Sequence, residues 1–241
     1  MKAKKSLGQN FFVNKNLGDH ITNIVGENSS DTVVEIGPGL GFFTERLVKL
    51  FKNVIVVEKD TDLANNLSLL YPNIQVLNRD FLELDLKEFK DVTYFGSLPY
   101  NVSKPIIKKI IESESFKHPA YFIIQKEVAE KYIYKKPYNI LSLTTNIYAD
   151  VNKLFNISPD SFKPQPNVNS SFVSFVPKNT VLQNNKELET LIKISFRQPR
   201  KSLRNNLKGS KYANIQSEYL NKRAQELSLV EFSEILSSSI S

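Results

Sequence analysis

Between residues 17 and 124, short runs of β-branched and aromatic residues alternate with stretches of helical spacing, and few folds accommodate that alternation. Leu17, Ile21, Ile24 and Val25 recur at helical spacing. Residues 32–36, 54–57, 74–77, 92–95 and 120–124 read as short buried strands. Helical patterns lie between them, through Phe42 to Phe51, Leu63 to Leu70 and Ile106 to Ile111. Parallel strands joined through helices need crossover connections, which place helices on both faces of the sheet. The expected fold is therefore α/β, a Rossmann-like, doubly wound parallel sheet. Residues 150–176 depart from the pattern, with Pro159, Pro164 and Pro166 ahead of a strand at 170–176. After Pro177 the spacing is helical to the end. A boundary near 178–180 follows, separating a sheet domain, 1–178, from a small C-terminal helical domain, 179–241.

Composition narrows the chemistry. The 241 residues include no Cys and only two His, His20 and His118. Disulfide frameworks, thiolate nucleophiles and Cys-type zinc or iron–sulfur sites are excluded, and little is left for a metal cluster or a Ser-His-Asp triad. No apolar run approaches the ~18–20 residues that span a bilayer. Lys2, Lys4 and Lys5 are not followed by the apolar stretch of a secretory signal, so a cytoplasmic chain is expected. The net charge of +7 is concentrated. Between Lys193 and Arg223 nine basic residues accompany one acid, Glu218. A solvated helix face usually mixes signs, whereas a face that contacts phosphates keeps one sign and releases counterions. Arg197, Arg200, Lys201 and Arg204 are the candidate nucleic-acid contacts. A membrane surface is the lesser option, because the apolar residues between these charges are spaced as core.

The strand ends carry the candidate ligand site. Glu35-Ile36-Gly37-Pro38-Gly39-Leu40-Gly41 lies between a strand and a helix, where glycines let the backbone turn tightly against a ligand. The spacing is G-x-G-x-G, not the dinucleotide pattern G-x-G-x-x-G. Glu58 ends the second strand, where a carboxylate can accept from ribose hydroxyls. Asp80 ends the third, where one can meet an amino group such as adenine's. Each acid alone is equally a solvated strand end or a helix N-cap. Together, Gly37, Glu58 and Asp80 occupy three successive strand ends on the carboxyl edge, the ligand edge of open α/β sheets. An adenosine ligand without a pyrophosphate fits them, and S-adenosylmethionine is the obvious one.

The fourth strand ends in Ser97-Leu98-Pro99-Tyr100, which resembles the (Asn/Asp/Ser)-x-Pro-aromatic motif of amino methyltransferases that act on adenine N6. An exocyclic amine is a poor nucleophile because its lone pair is delocalised into the ring. Acceptors on its two hydrogens, here Ser97 Oγ and the Leu98 carbonyl, favour a pyramidal nitrogen in line with a sulfonium methyl. Tyr100 would stack on the extruded base.

Five further segments bring the resemblance to a family. They are Lys5-Ser6-Leu7-Gly8-Gln9-Asn10-Phe11, the glycine turn, Gln125-Lys126-Glu127-Val128, Phe162-Lys163-Pro164-Gln165-Pro166-Asn167-Val168 and Phe196-Arg197-Gln198-Pro199-Arg200-Lys201-Ser202-Leu203-Arg204-Asn205-Asn206-Leu207. In this order the chain resembles the rRNA adenine dimethyltransferases, and the last segment resembles their small-subunit branch. The resemblance implies a class I methyltransferase sheet and S-adenosylmethionine as cofactor. It also implies dimethylation of two adjacent adenosines in the 3′-terminal hairpin loop of 16S rRNA during late small-subunit assembly. Asn10 and Phe12 would line the cofactor site with Gly37, Glu58, Asp80 and Ser97, and Phe162 would pack on the target base opposite Tyr100. A buried anchor between prolines is the plainer role for Phe162. The family usually carries Asn where this chain has Ser97, and a hydroxyl reaches less far than an amide carbonyl. A monomer with no membrane and no metal is expected. Two rivals are a large-subunit methyltransferase of the macrolide-resistance type and a protein that serves ribosome assembly without catalysis. Ser6-Leu7-Gly8 and the segment from Arg200 to Leu207 argue against the first, and Gly37, Glu58, Asp80 and Tyr100 against the second.

Overall fold

A computed structural model describes residues 10–27, 29–178 and 185–238. Lys2, Lys4, Lys5, motif residues 5–9, positions 179 and 180 of the expected boundary and the last three residues of the serine-rich tail lie outside the described residues. The chain divides into two compact units, 1–130 with 152–177 and 131–151 with 178–241. Residues 131–151, expected in the sheet domain, belong instead to the second unit.

The first unit is built on the expected alternation. After the short strand β1 (Phe11–Phe12) come α1 (Lys15–Glu27), β2 (Thr32–Ile36), α2 (Thr44–Leu50), β3 (Asn53–Val57), α3 (Thr61–Leu70), β4 (Gln75–Leu77), β5 (Val92–Ser97), α4 (Ser103–Ile111), β6 (Ala120–Gln125) and α5 (Lys126–Tyr132). The sheet order is β4-β3-β2-β5-β6-β9-β7, where β7 is Ala149–Ile157 and β9 is Ser170–Pro177. From β4 to β6 all pairs are parallel, and β9 runs antiparallel to β6. Strand β7, which periodicity from residue 150 onward does not reveal, alternates buried or half-buried positions with exposed ones, the pattern of a strand with one wetted face. Because β2 sits between β3 and β5, the winding reverses there, and the crevice beyond the carboxyl ends of β2 and β5 is the expected ligand position.

Helices cover the sheet through regular apolar stripes. Ile106, Ile107, Ile110 and Ile111 of α4 are buried at i, i+1, i+4 and i+5. Ile21 and Val25 of α1 join Leu47 of α2 and Val33, Val54, Val56 and Phe95 of the sheet in one core. Gly18 of α1 packs against the Phe42 ring, which would have to shift to admit a Cβ 2.5 Å away. Strand β8 (Phe162–Lys163) pairs antiparallel with β1, setting Phe12 opposite Phe162.

The second unit has its own core. It includes α6 (Ile140–Asn146), α7 (Asn185–Ser195), α8 (Leu203–Leu207) and α9 (Leu229–Ser237), with turns and 3-10 segments over much of 208–228 rather than continuous helix. Leu143, Ile147, Leu188, Leu191, Leu207, Phe232 and Ile235 are buried together. The packing of Leu143 and Ile147 there is why residues 131–151 belong to this unit. Asn139 and Ser142 form a capping box at the start of α6, as do Ser228 and Glu231 at α9. Asn206, 4% exposed, fastens the turn that precedes α8. Its Oδ1 accepts from the Gln198 N–H at 2.8 Å, and its Nδ2 reaches the carbonyls of Gln198, Lys201 and Ser202 at 3.1–3.3 Å.

Candidate active site

A cavity of about 530 Å³ opens at the switch point within the first unit. The segment after β2 enters it first. Gly37, Gly39 and Gly41 adopt φ of 67°, 59° and 84°, the left-handed region that costs glycine little. At Gly37 an added Cβ would meet nothing within 4 Å, so strain alone would oppose a side chain there; at Gly39 it would come within 3.1 Å of the Phe11 ring. The turn thus keeps its backbone bare against the cavity on one side and against β1 on the other.

Glu58 follows β3 and is held from both sides. Its Oε2 accepts from Gly39 N–H at 3.1 Å and its Oε1 from Asp60 N–H at 2.9 Å. Burial nonetheless raises its pKa, with the charge of Asp60 adding to the effect and the two N–H donors opposing it. Below it, Glu35 is buried and accepts from the Thr44 hydroxyl at 2.6 Å. Burial raises its pKa to about 8, against the Thr44 hydrogen bond and with the help of Glu58. Asp80, after β4, behaves oppositely. Its hydrogen bond with Lys59 at 2.8 Å is the main cause of a lowered pKa. Asp80 also caps the 3-10 turn Phe81–Glu83 by accepting from Leu82 N–H at 2.9 Å. Its alternative role as a helix cap and its place in the cavity wall therefore coexist.

Ser97 closes β5, pairing with Ile123 of β6, and the Leu98 N–H donates to the Ile123 carbonyl at 3.0 Å. These bonds put Ser97, Leu98, Pro99 and Tyr100 along the cavity wall. The Tyr100 hydroxyl is 2.9 Å from Ser170 Oγ, which fastens the half-buried ring at its far end. Phe162 lines the cavity but is only 3% exposed, with its ring edge-on to Phe12 at 5.1 Å. Its burial makes it an anchor of the core at this point.

The cavity thus brings together Asn10, Phe12, Gly37, Glu58, Asp80, Ser97, Leu98, Pro99, Tyr100 and Phe162. It also contains residues that sequence reasoning does not single out. Lys59 is legible only as the neighbour of Glu58, and Phe11 only as the neighbour of Phe12. Tyr71, after α3, and Arg79 carry no pattern that marks them. Arg197, Arg200, Lys201 and Arg204 are exposed in the second unit. The structure sorts the basic run to which they belong. Lys193 pairs with Glu189 at 2.6 Å, Lys211 with Glu187 at 2.5 Å and Lys222 with Glu231 at 3.0 Å. Among the described residues, Arg197, Arg200, Lys201, Arg204 and Lys208 have no such acid. Also among the described residues, no group of three or more metal-ligating side chains is assembled, and no helix is long and apolar enough to cross a membrane.

Comparison with known proteins places this geometry in context. The sequence model of the family described as ribosomal RNA adenine dimethylase matches residues 1–239. Ribosomal RNA small subunit methyltransferase A of Chlorobium phaeobacteroides is 35% identical over 238 residues, covering 95% of this chain and 88% of that protein. Its namesake from Francisella tularensis is 37% identical over 249 residues, covering 96% and 95%. Among solved structures, a dimethyladenosine transferase from Plasmodium falciparum superposes with a TM-score of 0.83 at 25% identity, covering 94% of this chain and 96% of that one. The 23S rRNA methyltransferase ErmE gives 0.74 at 21% identity, covering 95% and 100%, and shares the fold.

Proposed function

This chain belongs to the ribosomal RNA adenine dimethylase family, and from that premise we propose that it uses S-adenosylmethionine to dimethylate N6 of two adjacent adenosines in the 3′-terminal hairpin loop of 16S rRNA. It would do so as a cytoplasmic monomer, late in small-subunit assembly. The observation that carries this reading is the meeting of Gly37, Glu58, Asp80 and Ser97 to Tyr100 in one cavity at the switch point of the sheet.

The residues present suit such a cofactor. A bare glycine turn, a buried carboxylate held by backbone N–H groups and an ionised carboxylate nearby match a backbone approach, a ribose diol and an adenine amine. Asn10 and Phe12 line the same wall. When bound, S-adenosylmethionine supplies a methyl group on a sulfonium centre, with the thioether as leaving group. Ser97 Oγ and the Leu98 carbonyl accept the two hydrogens of the target amine and hold its lone pair toward that methyl. Tyr100, tethered to Ser170, presents its ring to the extruded base, and Phe162 supports the opposite side from the core. The methylated N6 carries the positive charge until it gives up one proton, and it is acidic enough to pass that proton to water, so the chain need supply no strong base. Arg197, Arg200, Lys201 and Arg204 contact rRNA phosphates.

The test is methyl transfer from labelled S-adenosylmethionine to small subunits that lack the modification, with mass mapping of the 3′-terminal fragment. Dimethylation of two adjacent adenosines is expected. Binding of cofactor and subunit without transfer would sink the catalytic reading and favour a role in assembly alone.

A further inference from the structure

Asp80 has a cation beside it to which the mechanism above gives no role. Lys59 follows Glu58 beyond the end of β3, and its ammonium donates to Asp80 Oδ2 at 2.8 Å. Both side chains line the cavity, so the pair ties the end of β3 to the segment after β4 along the wall assigned to adenine. A carboxylate has two oxygens and about four acceptor directions. Oδ1 takes the Leu82 N–H and Oδ2 the Lys59 ammonium, which leaves each oxygen room for one more donor. Two anchors from different directions fix the plane of the carboxylate, whereas Leu82 alone would leave it free to turn.

We infer that Lys59 is a positioning residue for adenine: its ion pair with Asp80 holds the carboxylate oriented as an acceptor for the exocyclic amine. The inference rests on the cofactor assignment proposed above. The same pair accounts for the direction of the Asp80 pKa, which Lys59 lowers most, with Leu82 N–H and Lys109 acting the same way and burial opposing. The other charged groups around the pair are Arg79 and Glu58 on the cavity wall, Glu83 on the capped turn, and Lys109 of α4. Lys109 donates to the Leu82 carbonyl at 2.5 Å, which steadies the turn that Asp80 caps.

A charged ligand would respond to the loss of any nearby cation, so the probe is 5′-deoxy-5′-methylthioadenosine, which carries the adenosine and no charge. Its binding is measured by calorimetry as a function of pH. Lys59→Met, which keeps the aliphatic stem, should weaken binding about threefold near neutral pH, the scale of a partly exposed ion pair. It should also move the loss of binding on acidification to higher pH, because Asp80 then protonates more readily. Glu58 lies near Lys59 as well, so Asp80→Asn with and without Lys59→Met reports any change in the Glu58 titration, and the remainder of the shift belongs to Asp80. Lys59→Arg should restore the wild-type profile, and adding Lys59→Met to Asp80→Asn should cost nothing further. An unchanged affinity and pH profile in Lys59→Met overturns the inference, as do losses that multiply in the double variant. Failure of the wild-type protein to bind the nucleoside is a different result, which takes down the cofactor assignment and the inference with it.

Discussion

The two units treat charge in opposite ways. In the first, Glu35, Glu58 and Asp80 are buried or half-buried, and each is bound to backbone N–H groups, a hydroxyl or an ammonium. In the second, the cations from Arg197 to Lys208 are exposed, and no acid among the described residues neutralises them. A small ligand with hydroxyls and an amine needs acceptors already fixed in place, since a misdirected buried acceptor costs more than it gains. A polyanion needs the reverse, hydrated cations that exchange water and counterions for phosphates. One chain thus holds a site read by hydrogen-bond direction and a site read by charge.

The comparison can be broken most severely at Glu58. Glu58→Ala strips two backbone N–H groups of their acceptor along with the ribose contact. It should cost about 3 kcal/mol of S-adenosylmethionine affinity, roughly a hundredfold. The salt dependence of RNA binding should stay as it was. Calorimetry with S-adenosylhomocysteine and filter binding at several salt concentrations check both halves, and a weakened RNA complex would show that the two sites are not separable.

The converse variant is Arg200→Ala with Lys201→Ala and Arg204→Ala. RNA affinity should drop by roughly an order of magnitude, and the salt slope should flatten by about 0.7–0.9 for each phosphate that no longer meets a cation. Cofactor affinity should be untouched. A steep residual slope would move the phosphate contacts to other residues.

Ser97→Asn sharpens the comparison within the first site. A longer acceptor should hold the target amine better and raise the single-turnover methylation rate about two- to fivefold. If the rate on the same subunits does not change, acceptor reach is not limiting.

A separate effect concerns stability rather than binding. Glu35, with its pKa raised to about 8, binds a proton in the folded state at pH values where an unfolded glutamate has lost it. The stability it contributes is full below pH 4.5 and is lost as pH rises toward 8. Glu35→Gln, which keeps the acceptor for Thr44, should flatten that decline in denaturant titrations. An unaltered pH profile in the variant would rule out Glu35 as its source.

The strand ends of the first unit are readable in the sequence because parallel strands buried on both faces leave short apolar runs, and the residue after each run falls on one edge. Gly37, Glu58 and Ser97 are found that way, whereas Asp80, expected to end its strand, stands three residues past β4, whose positions are exposed or half-buried. What periodicity misses is where a pattern is shared or absent. Strand β7 alternates as an edge strand does, and Leu143 and Ile147 fill a core whose other buried members run from Leu188 to Leu236. Side-chain pairing is equally hidden. Glu189 and Lys193 are four apart on one helix, a pair that spacing reveals, but nothing in the spacing of Lys211 and Lys222 distinguishes them from Arg200 or Arg204 until Glu187 and Glu231 are brought beside them. For Phe162, a ring between prolines does not disclose whether it faces a base or the core, and the pairing of β1 with β8 is what turns it toward Phe12.

The amide of Asn206 has a consequence for how the basic turn meets its partner. Because one buried side chain already joins Gln198, Lys201 and Ser202, the backbone that displays Arg200 and Lys201 surrenders its conformational freedom when the chain folds. Docking then has only the long side chains to order, and the entropy lost at the encounter is correspondingly small.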